Sequence, residues 1–120
     1  MGGIKEVSFS AFVSNLSPAA FACFKVLLDT ARDKIVQAGP QGEYEAPLAQ
    51  LLEESAIGDV EAVASSIKEI IQCRVDVKKG EFLYFYPFLS SVRIEGGLIK
   101  YGMFQEIESL LPNYSLPGTG

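Results

Sequence analysis

The chain has 120 residues, and its ten basic and fifteen acidic residues give a formal net charge of −5. This length is typical of one domain, which we expect over residues 1–113, followed by a frayed tail over residues 114–120. An apolar fraction of 48% allows a buried core and excludes intrinsic disorder as the main state. The apolar runs are too short to span a membrane and residues 1–6 lack the pattern of a signal peptide, so the expected compartment is the cytosol.

Composition also restricts the available chemistry. The sequence has no His, so it offers no Ser-His-Asp triad, no Cys-His pair and no histidine ligand for a metal. Cys23 and Cys73 each lie among apolar residues, and we expect both to be buried. The sequence contains neither a phosphate-binding glycine motif nor a carboxylate pair that stands out as catalytic. We therefore expect no enzyme activity, no catalytic residues, no cofactor, no metal and no small-molecule substrate.

The first half of the chain is predicted to be mainly helical. The apolar spacing over Val7–Leu16 favours a short helix, although alternation of apolar residues in the same segment leaves a strand open. A longer helix is predicted from about Pro18 to Gln37, because Ser17 is a good N-cap and Ala38-Gly39-Pro40 ends it. Its core face is expected to pack beside Val63 and Ile67, and consists of Phe21, Phe24, Leu28 and Ile35.

Two short helices follow a turn and an extended piece over residues 41–45. The first is expected to begin at Pro47, to carry Leu48, Leu51 and Leu52, and to break at residues 55–58. The second is capped by Asp59 and extends to Gln72, with Val63 and Ile67 on its inner side. Two short helices joined by a tight turn form a helix-turn-helix layout.

The apolar period changes from 3.6 to 2 after Arg74. Val75 and Val77 predict a strand, residues 78–80 a turn, and residues 81–86 the returning strand. A second hairpin is predicted over residues 88–101 around Gly96-Gly97, since glycines allow the positive φ angles of a two-residue turn. A final amphipathic helix over residues 103–111 completes an α+β winged helix, which consists of a helix-turn-helix, a wing hairpin, a second hairpin and a C-terminal helix.

This order of elements resembles the N-terminal winged-helix domain of plasmid replication initiator (Rep) proteins. The resemblance covers about residues 7–112. The segments that carry it are Phe9–Leu16, Ser17–Ile35, Glu43–Ala46, Leu48–Leu52, the hairpin Phe88–Tyr101 and the pair Leu110-Leu111. Family members normally continue into a second winged-helix domain that reads the origin repeats. The resemblance implies a domain that dimerises and contacts the DNA backbone.

Basic residues near the predicted wing are the candidates for DNA contact. On the exposed face of the second short helix only Ser65, Ser66, Lys68 and Gln72 could read bases, and Glu61 and Glu69 would repel phosphates. We therefore expect backbone contacts from Lys68, Arg74, Lys78 and Lys79.

Aromatic residues are dense in the returning strand of the wing. Phe82, Tyr84 and Tyr86 share one face and Phe85 lies on the other, so we expect the first face to pack in the core and the second to contact another subunit. Base stacking by these rings is less favoured, because it normally accompanies a basic groove. The predicted homodimer interface consists of Phe85, Val92, Ile94 and Ile99.

The sequence thus predicts a protein that dimerises and supports DNA contact in plasmid DNA replication. One alternative is a stand-alone winged-helix adaptor that binds another protein and does not touch DNA. A transcriptional regulator is a further alternative.

Overall fold

Helices and antiparallel strands make up the computed structural model, which describes residues 5–9, 16–55 and 58–113. The elements, in chain order, are β1 (Lys5–Phe9), α1 (Pro18–Ala38), β2 (Glu43–Pro47), α2 (Leu48–Ser55), α3 (Val60–Ile71), β3 (Arg74–Lys79), β4 (Phe82–Pro87), β5 (Ser91–Glu95), β6 (Leu98–Gly102), α4 (Gln105–Glu108) and a 3₁₀ turn (Leu111–Asn113). The α+β class predicted from the sequence is confirmed.

The long helix α1 is bounded by the signals that the sequence contains. The Ser17 hydroxyl accepts a hydrogen bond from the amide of Ala20 at 3.2 Å, and Pro18 occupies the first turn. At the other end Gly39 has a φ of 82°, and its amide donates to the Ile35 carbonyl at 2.7 Å. The predicted span is confirmed to within one residue, and its core face is buried apart from Phe21, which is partly buried.

The two short helices both pack against α1. Asp59 caps α3 by accepting from the amide of Ala62 at 2.8 Å. Val63, Ile67 and Ile70 are buried against α1, as the apolar period predicts. Helix α3 therefore has its position fixed by its apolar side, and its polar side faces outward.

The strands form two separate three-stranded antiparallel sheets. The first has the order β1-β3-β4 and the second the order β2-β6-β5. Two-residue turns at residues 80–81 and 96–97 connect the hairpins, with positive φ at Gly80, Gly96 and Gly97. Phe88 lies after β4, with its ring 4.5 Å from that of Phe24 and its amide bonded to the Cys73 carbonyl at 3.0 Å. The end of β4 is thereby anchored in the core.

The prediction of a helix at the start of Val7–Leu16 is wrong. Residues 5–9 form β1, in which Val7 is opposite Val77 and Phe9 is opposite Val75. The strand that the alternation of apolar residues left open is the conformation this segment adopts, because β3 provides it with backbone hydrogen-bond partners. Residues 10–15 of the predicted helix lie outside the described part of the chain, and Leu16, its last residue, lies in a bend before α1.

The wing turn also differs from the prediction. Lys78 and Lys79 belong to β3, and the turn consists of Gly80 and Glu81. The register pairs Lys79 with Phe82, which leaves two residues for the turn. Because Gly80 has a φ of 61°, the residue suited to positive φ occupies the turn itself.

The C-terminal segment is less helical than predicted. Helix α4 spans only Gln105–Glu108, and the amide of Leu110 bonds to the Ile107 carbonyl at 3.1 Å in a 3₁₀ pattern. Pro112 then prevents a longer regular helix. The second hairpin likewise begins at Ser91 rather than Phe88, since Phe88 and Leu89 are buried in the core. The predicted frayed tail lies outside the described residues.

Within the described ranges, no helix is both long enough and apolar enough to cross a membrane.

Candidate nucleic-acid interface

The outward face of α3 carries little positive charge. Lys68 lies there in the last turn and is exposed, together with Ser65 and the acidic Glu61. Ser66, which the sequence offered as a base-reading residue, is buried instead. Its position between Val63 and Ile67 places it on the inner side of the helix, so it is not available to a nucleic acid.

Glu69 is engaged by the start of α1. Its carboxylate oxygens accept hydrogen bonds from the Ser17 amide at 3.0 Å and from the Ser17 hydroxyl at 2.9 Å. The positive end of the α1 dipole favours a carboxylate there. Part of the phosphate repulsion expected of Glu69 is therefore compensated within the protein.

Arg74 begins β3, and its side chain is held by two neighbours. Its Nε donates to Asp76 Oδ1 at 2.9 Å, and the guanidinium lies 5.0 Å from the centre of the Phe85 ring. The side chain stays partly exposed, so it can still reach a phosphate. The adjacent Asp76 carboxylate weakens the attraction of Arg74 for an anion. A lysine without a carboxylate neighbour would attract the anion more strongly.

Lys78 and Lys79 lie at the far end of β3 from Arg74. Lys78 is four positions after Arg74 along the strand, which corresponds to about 13 Å at the usual rise per residue. The predicted contacts therefore do not form one cluster. Lys68 and Arg74 lie toward the start of the hairpin, whereas the two lysines lie toward its turn.

Lys5 is a basic residue that the sequence reasoning missed. The register of β1 against β3 places Lys5 opposite Lys79, and Glu6 opposite Lys78. The alternation of Val7 and Phe9 was the signal for a strand in this segment, but it does not show that the strand pairs with β3 beside the wing. Over β1, β3, β4 and the wing turn there are four basic and three acidic residues, in a chain of net charge −5. This sheet is therefore only weakly basic.

The four predicted interface residues do not share one exposed face. Ile99 is completely buried in the core and Val92 is partly buried against it, whereas Phe85 and Ile94 are exposed. Phe85 belongs to the first sheet and Ile94 to the second. The prediction of a single uncovered face is therefore wrong, because the two hairpins build separate sheets and β6 is the central strand of one of them.

The aromatic face of β4 was expected to pack in the core, which is wrong for two of its three rings. Phe82 and Tyr84 are exposed, and only Tyr86 is partly buried. The rings form a row with centroid separations of 6.3 Å and 6.4 Å, and Tyr86 continues it to Phe104 at 6.2 Å. The row lies on the sheet that carries the basic residues.

A buried carboxylate joins the loop between α1 and β2 to α4. Glu108 accepts hydrogen bonds from the amides of Gln41 at 3.1 Å and Gly42 at 2.8 Å, and from the Tyr44 hydroxyl. Burial, together with the Glu108 charge, raises the pKa of Tyr44 to about 12. Because all three donors and their acceptor are satisfied internally, this arrangement fixes the loop between α1 and β2 onto α4.

Metal-binding clusters are not found in the described part of the chain, where no three Cys, Asp or Glu residues lie together. Comparisons with family models, with curated proteins and with solved structures find no match to this chain.

Proposed function

We propose that the chain is a winged-helix domain of the replication-initiator type that dimerises and contacts the DNA backbone weakly through its β3–β4 hairpin. The single observation that supports this most is the arrangement of the helices and the hairpin. The pair α2–α3 packs on α1, and an antiparallel hairpin carrying Arg74, Lys78 and Lys79 follows α3 directly. A helix pair followed by a basic hairpin is the arrangement expected of this class.

The charges favour phosphate contact over base reading. Lys68 is the single cation on the exposed face of α3, and the charge of Arg74 is paired with that of Asp76. Base readout in the major groove depends on Arg, Lys, Asn or Gln side chains grouped on one face. A surface of this kind supports binding that is weak, sensitive to salt and nearly independent of sequence.

Fluorescence anisotropy with a duplex of about 20 base pairs tests the proposal over a range of salt concentrations. We expect a Kd no tighter than about 10⁻⁴–10⁻⁶ M, and a slope of log K against log salt of about −3 or shallower. Lys78→Glu with Lys79→Glu should weaken every duplex alike. The matched control is Lys25→Glu with Lys34→Glu, which changes the net charge equally on the exposed side of α1.

Equal loss in both double variants would contradict a role for the hairpin, because only the total charge would then matter. Sequence-specific nanomolar binding would contradict a backbone contact and favour a transcriptional regulator. No DNA binding at low salt, combined with retained folding by circular dichroism, would favour the protein-binding adaptor.

A further inference from the structure

Strand β4 is an outer strand without any charged residue. The described sheets have four outer strands, and three of them carry charges: Lys5 and Glu6 in β1, Glu43 and Glu45 in β2, Arg93 and Glu95 in β5. The sequence of β4 is Phe-Leu-Tyr-Phe-Tyr-Pro. Charges on outer strands are the usual protection against pairing with another strand. Among these four edges, β4 is the one that lacks this protection.

The exposed side chains of β4 lie on both faces of the sheet. Phe82 is 65% and Tyr84 42% exposed on one face, and Leu83 is 53% and Phe85 56% exposed on the other. A partner that docked on a sheet face would cover only one of these pairs. A further strand beside β4 would lie next to both. The pattern of exposure therefore fits an added strand.

The backbone of β4 presents alternate residues to its free side. The register places Lys79 opposite Phe82 across a two-residue turn, and the Phe88 amide donates to the Cys73 carbonyl at 3.0 Å. Even-numbered residues therefore direct their amides and carbonyls toward β3. The backbone groups of Leu83, Phe85 and Pro87 point away from the sheet, where a new strand would bond to them.

We propose that β4 pairs antiparallel with β4 of a second copy of the chain, with the two-fold axis passing between the two Tyr84 residues. The β1-β3-β4 sheet of one copy and the β1-β3-β4 sheet of the other then become one continuous six-stranded sheet. This inference rests on the dimerisation in the proposed function and specifies the surface and the register.

Symmetry and proline together select this register. A two-fold axis perpendicular to the sheet keeps each face continuous, so residues that oppose each other must come from the same face. Two such pairings keep five residues of the strand opposed, one centred on Tyr84 and one on Phe85. The second places Leu83 opposite Pro87, which has no amide hydrogen. The first places Leu83 opposite Phe85, so every outward backbone group between Phe82 and Tyr86 is paired, whereas the second leaves the Leu83 carbonyl of each copy without a donor.

The strand is suited to a second copy of itself. It has no charge, so pairing sets no like charges opposite each other. Since a fully buried aromatic side chain covers about 150–250 Å², covering the four exposed side chains removes about 400 Å² from each copy. The total of about 800 Å² is below the 1,200–2,000 Å² of stable interfaces. The dimer should therefore be reversible and depend on concentration.

Analytical ultracentrifugation of the full chain between about 1 and 500 µM tests the pairing, since interfaces below about 1,200 Å² are typical of weak, transient contacts. We expect the mean mass to rise from 13.0 kDa toward twice that value. Leu83→Pro removes an amide that β3 does not use, so it should leave the melting curve close to that of the parent and raise the dimer Kd at least tenfold. Leu83→Thr keeps the amide and is its matched control, with a smaller increase in Kd. Ile94→Lys, on the charged outer strand β5, should leave the dimer Kd unchanged.

Cross-linking tests the register. Tyr84→Cys places two thiols in a pair that is not hydrogen-bonded, where Cα atoms lie about 4.5 Å apart and a disulfide can form. Phe85→Cys places them diagonally, about 7–8 Å apart, beyond easy reach. We expect mild oxidation to link the Tyr84→Cys variant, while the parent, whose Cys23 and Cys73 are buried, and Phe85→Cys stay single chains on a non-reducing gel.

The outcomes separate this inference from the proposed function. A parent that remains at 13.0 kDa throughout contradicts the dimerisation itself. A dimer that Leu83→Pro leaves intact, or that Ile94→Lys disrupts, contradicts only the β4 interface. Cross-linking of Phe85→Cys in place of Tyr84→Cys contradicts the register, and so does the absence of cross-linking in both.

Discussion

Glu69 in the last turn of α3 binds the N-cap of α1 through both the amide and the hydroxyl of Ser17. The hydroxyl donates to Glu69 and at the same time accepts from the Ala20 amide, so one side chain caps its own helix and joins it to another. The two residues are 52 positions apart in the sequence. This contact ties the orientation of α3 to the start of α1.

Replacing Glu69 with Ala should therefore destabilise the fold by about 1–2 kcal/mol, since two partly buried donors lose a charged acceptor. Urea denaturation followed by circular dichroism measures the difference. Glu61→Ala is the matched control, because Glu61 is exposed on the same helix. It should change stability by less than about 0.5 kcal/mol. Equal effects from both substitutions would show that the contact with Ser17 does not stabilise the protein.

Leu28→Ala should destabilise by about 2–5 kcal/mol. Leu28 is buried on the core face of α1, so the substitution loses transfer energy and leaves a cavity. Val36→Ala, on the same helix but 67% exposed, should change stability by less than about 0.5 kcal/mol. Thermal or urea unfolding of both variants tests this packing, and a small effect at Leu28 would contradict the placement of α1 in the core.

Glu108 and Tyr44 should be energetically coupled. Glu108→Ala leaves two amides and the Tyr44 hydroxyl without their shared acceptor, so we expect a loss of about 2 kcal/mol. Tyr44→Phe removes one donor, and an acceptor that the Gln41 amide shares with Glu108, so it should cost less. In the double variant the losses should not add, and the cycle should give an interaction energy of at least about 0.5 kcal/mol.

The control for this cycle is Glu106→Ala, an exposed carboxylate on the same short helix α4. It should be additive with Tyr44→Phe. Additivity of Glu108→Ala with Tyr44→Phe would instead show that the hydrogen bond between them contributes nothing.

Local signals in the sequence were enough to predict α1, α3 and the glycine turn at residues 96–97. Ser17, Pro18 and Gly39 act within a few residues, and Asp59 caps its own helix. These features depend on sterics and hydrogen bonds that neighbouring residues decide alone. The class of the fold followed from them.

Strand pairing between segments distant in the sequence determined the features that local signals could not predict. Segment 5–9 becomes a strand because β3 pairs with it, and β2 joins β6 rather than the first hairpin. The candidate interface was affected most. The exposure of Phe82, the burial of Ile99 and the pairing of Lys5 with Lys79 all depend on which strand lies at which edge. Alternation shows which residues share a face, but it does not show which face the rest of the chain covers.

Stability should fall as the pH rises above about 9. Burial and the nearby Glu69 charge raise the pKa of Cys73 from 9.0 to about 11. Burial likewise raises the pKa of Tyr44 from 10.0 to about 12 and that of Tyr101 further. In each case the folded state holds its proton more strongly than the unfolded chain does. The stabilisation is fully present below the unfolded pKa, and it is lost as the pH rises through the folded pKa.

The urea midpoint measured from pH 8 to 12 checks this sign. We expect a plateau to about pH 9, a first decline as Cys73 deprotonates in the unfolded chain, and a steeper decline above pH 10 when the tyrosines do so. Cys73→Ala should reduce the decline between about pH 9 and 10 and keep the later one. Cys23→Ala serves as the second buried-cysteine variant, and it allows the general cost of losing a buried thiol to be subtracted. A midpoint that rises between pH 9 and 12, or a decline unaffected by Cys73→Ala, would contradict the burial of Cys73 against α3.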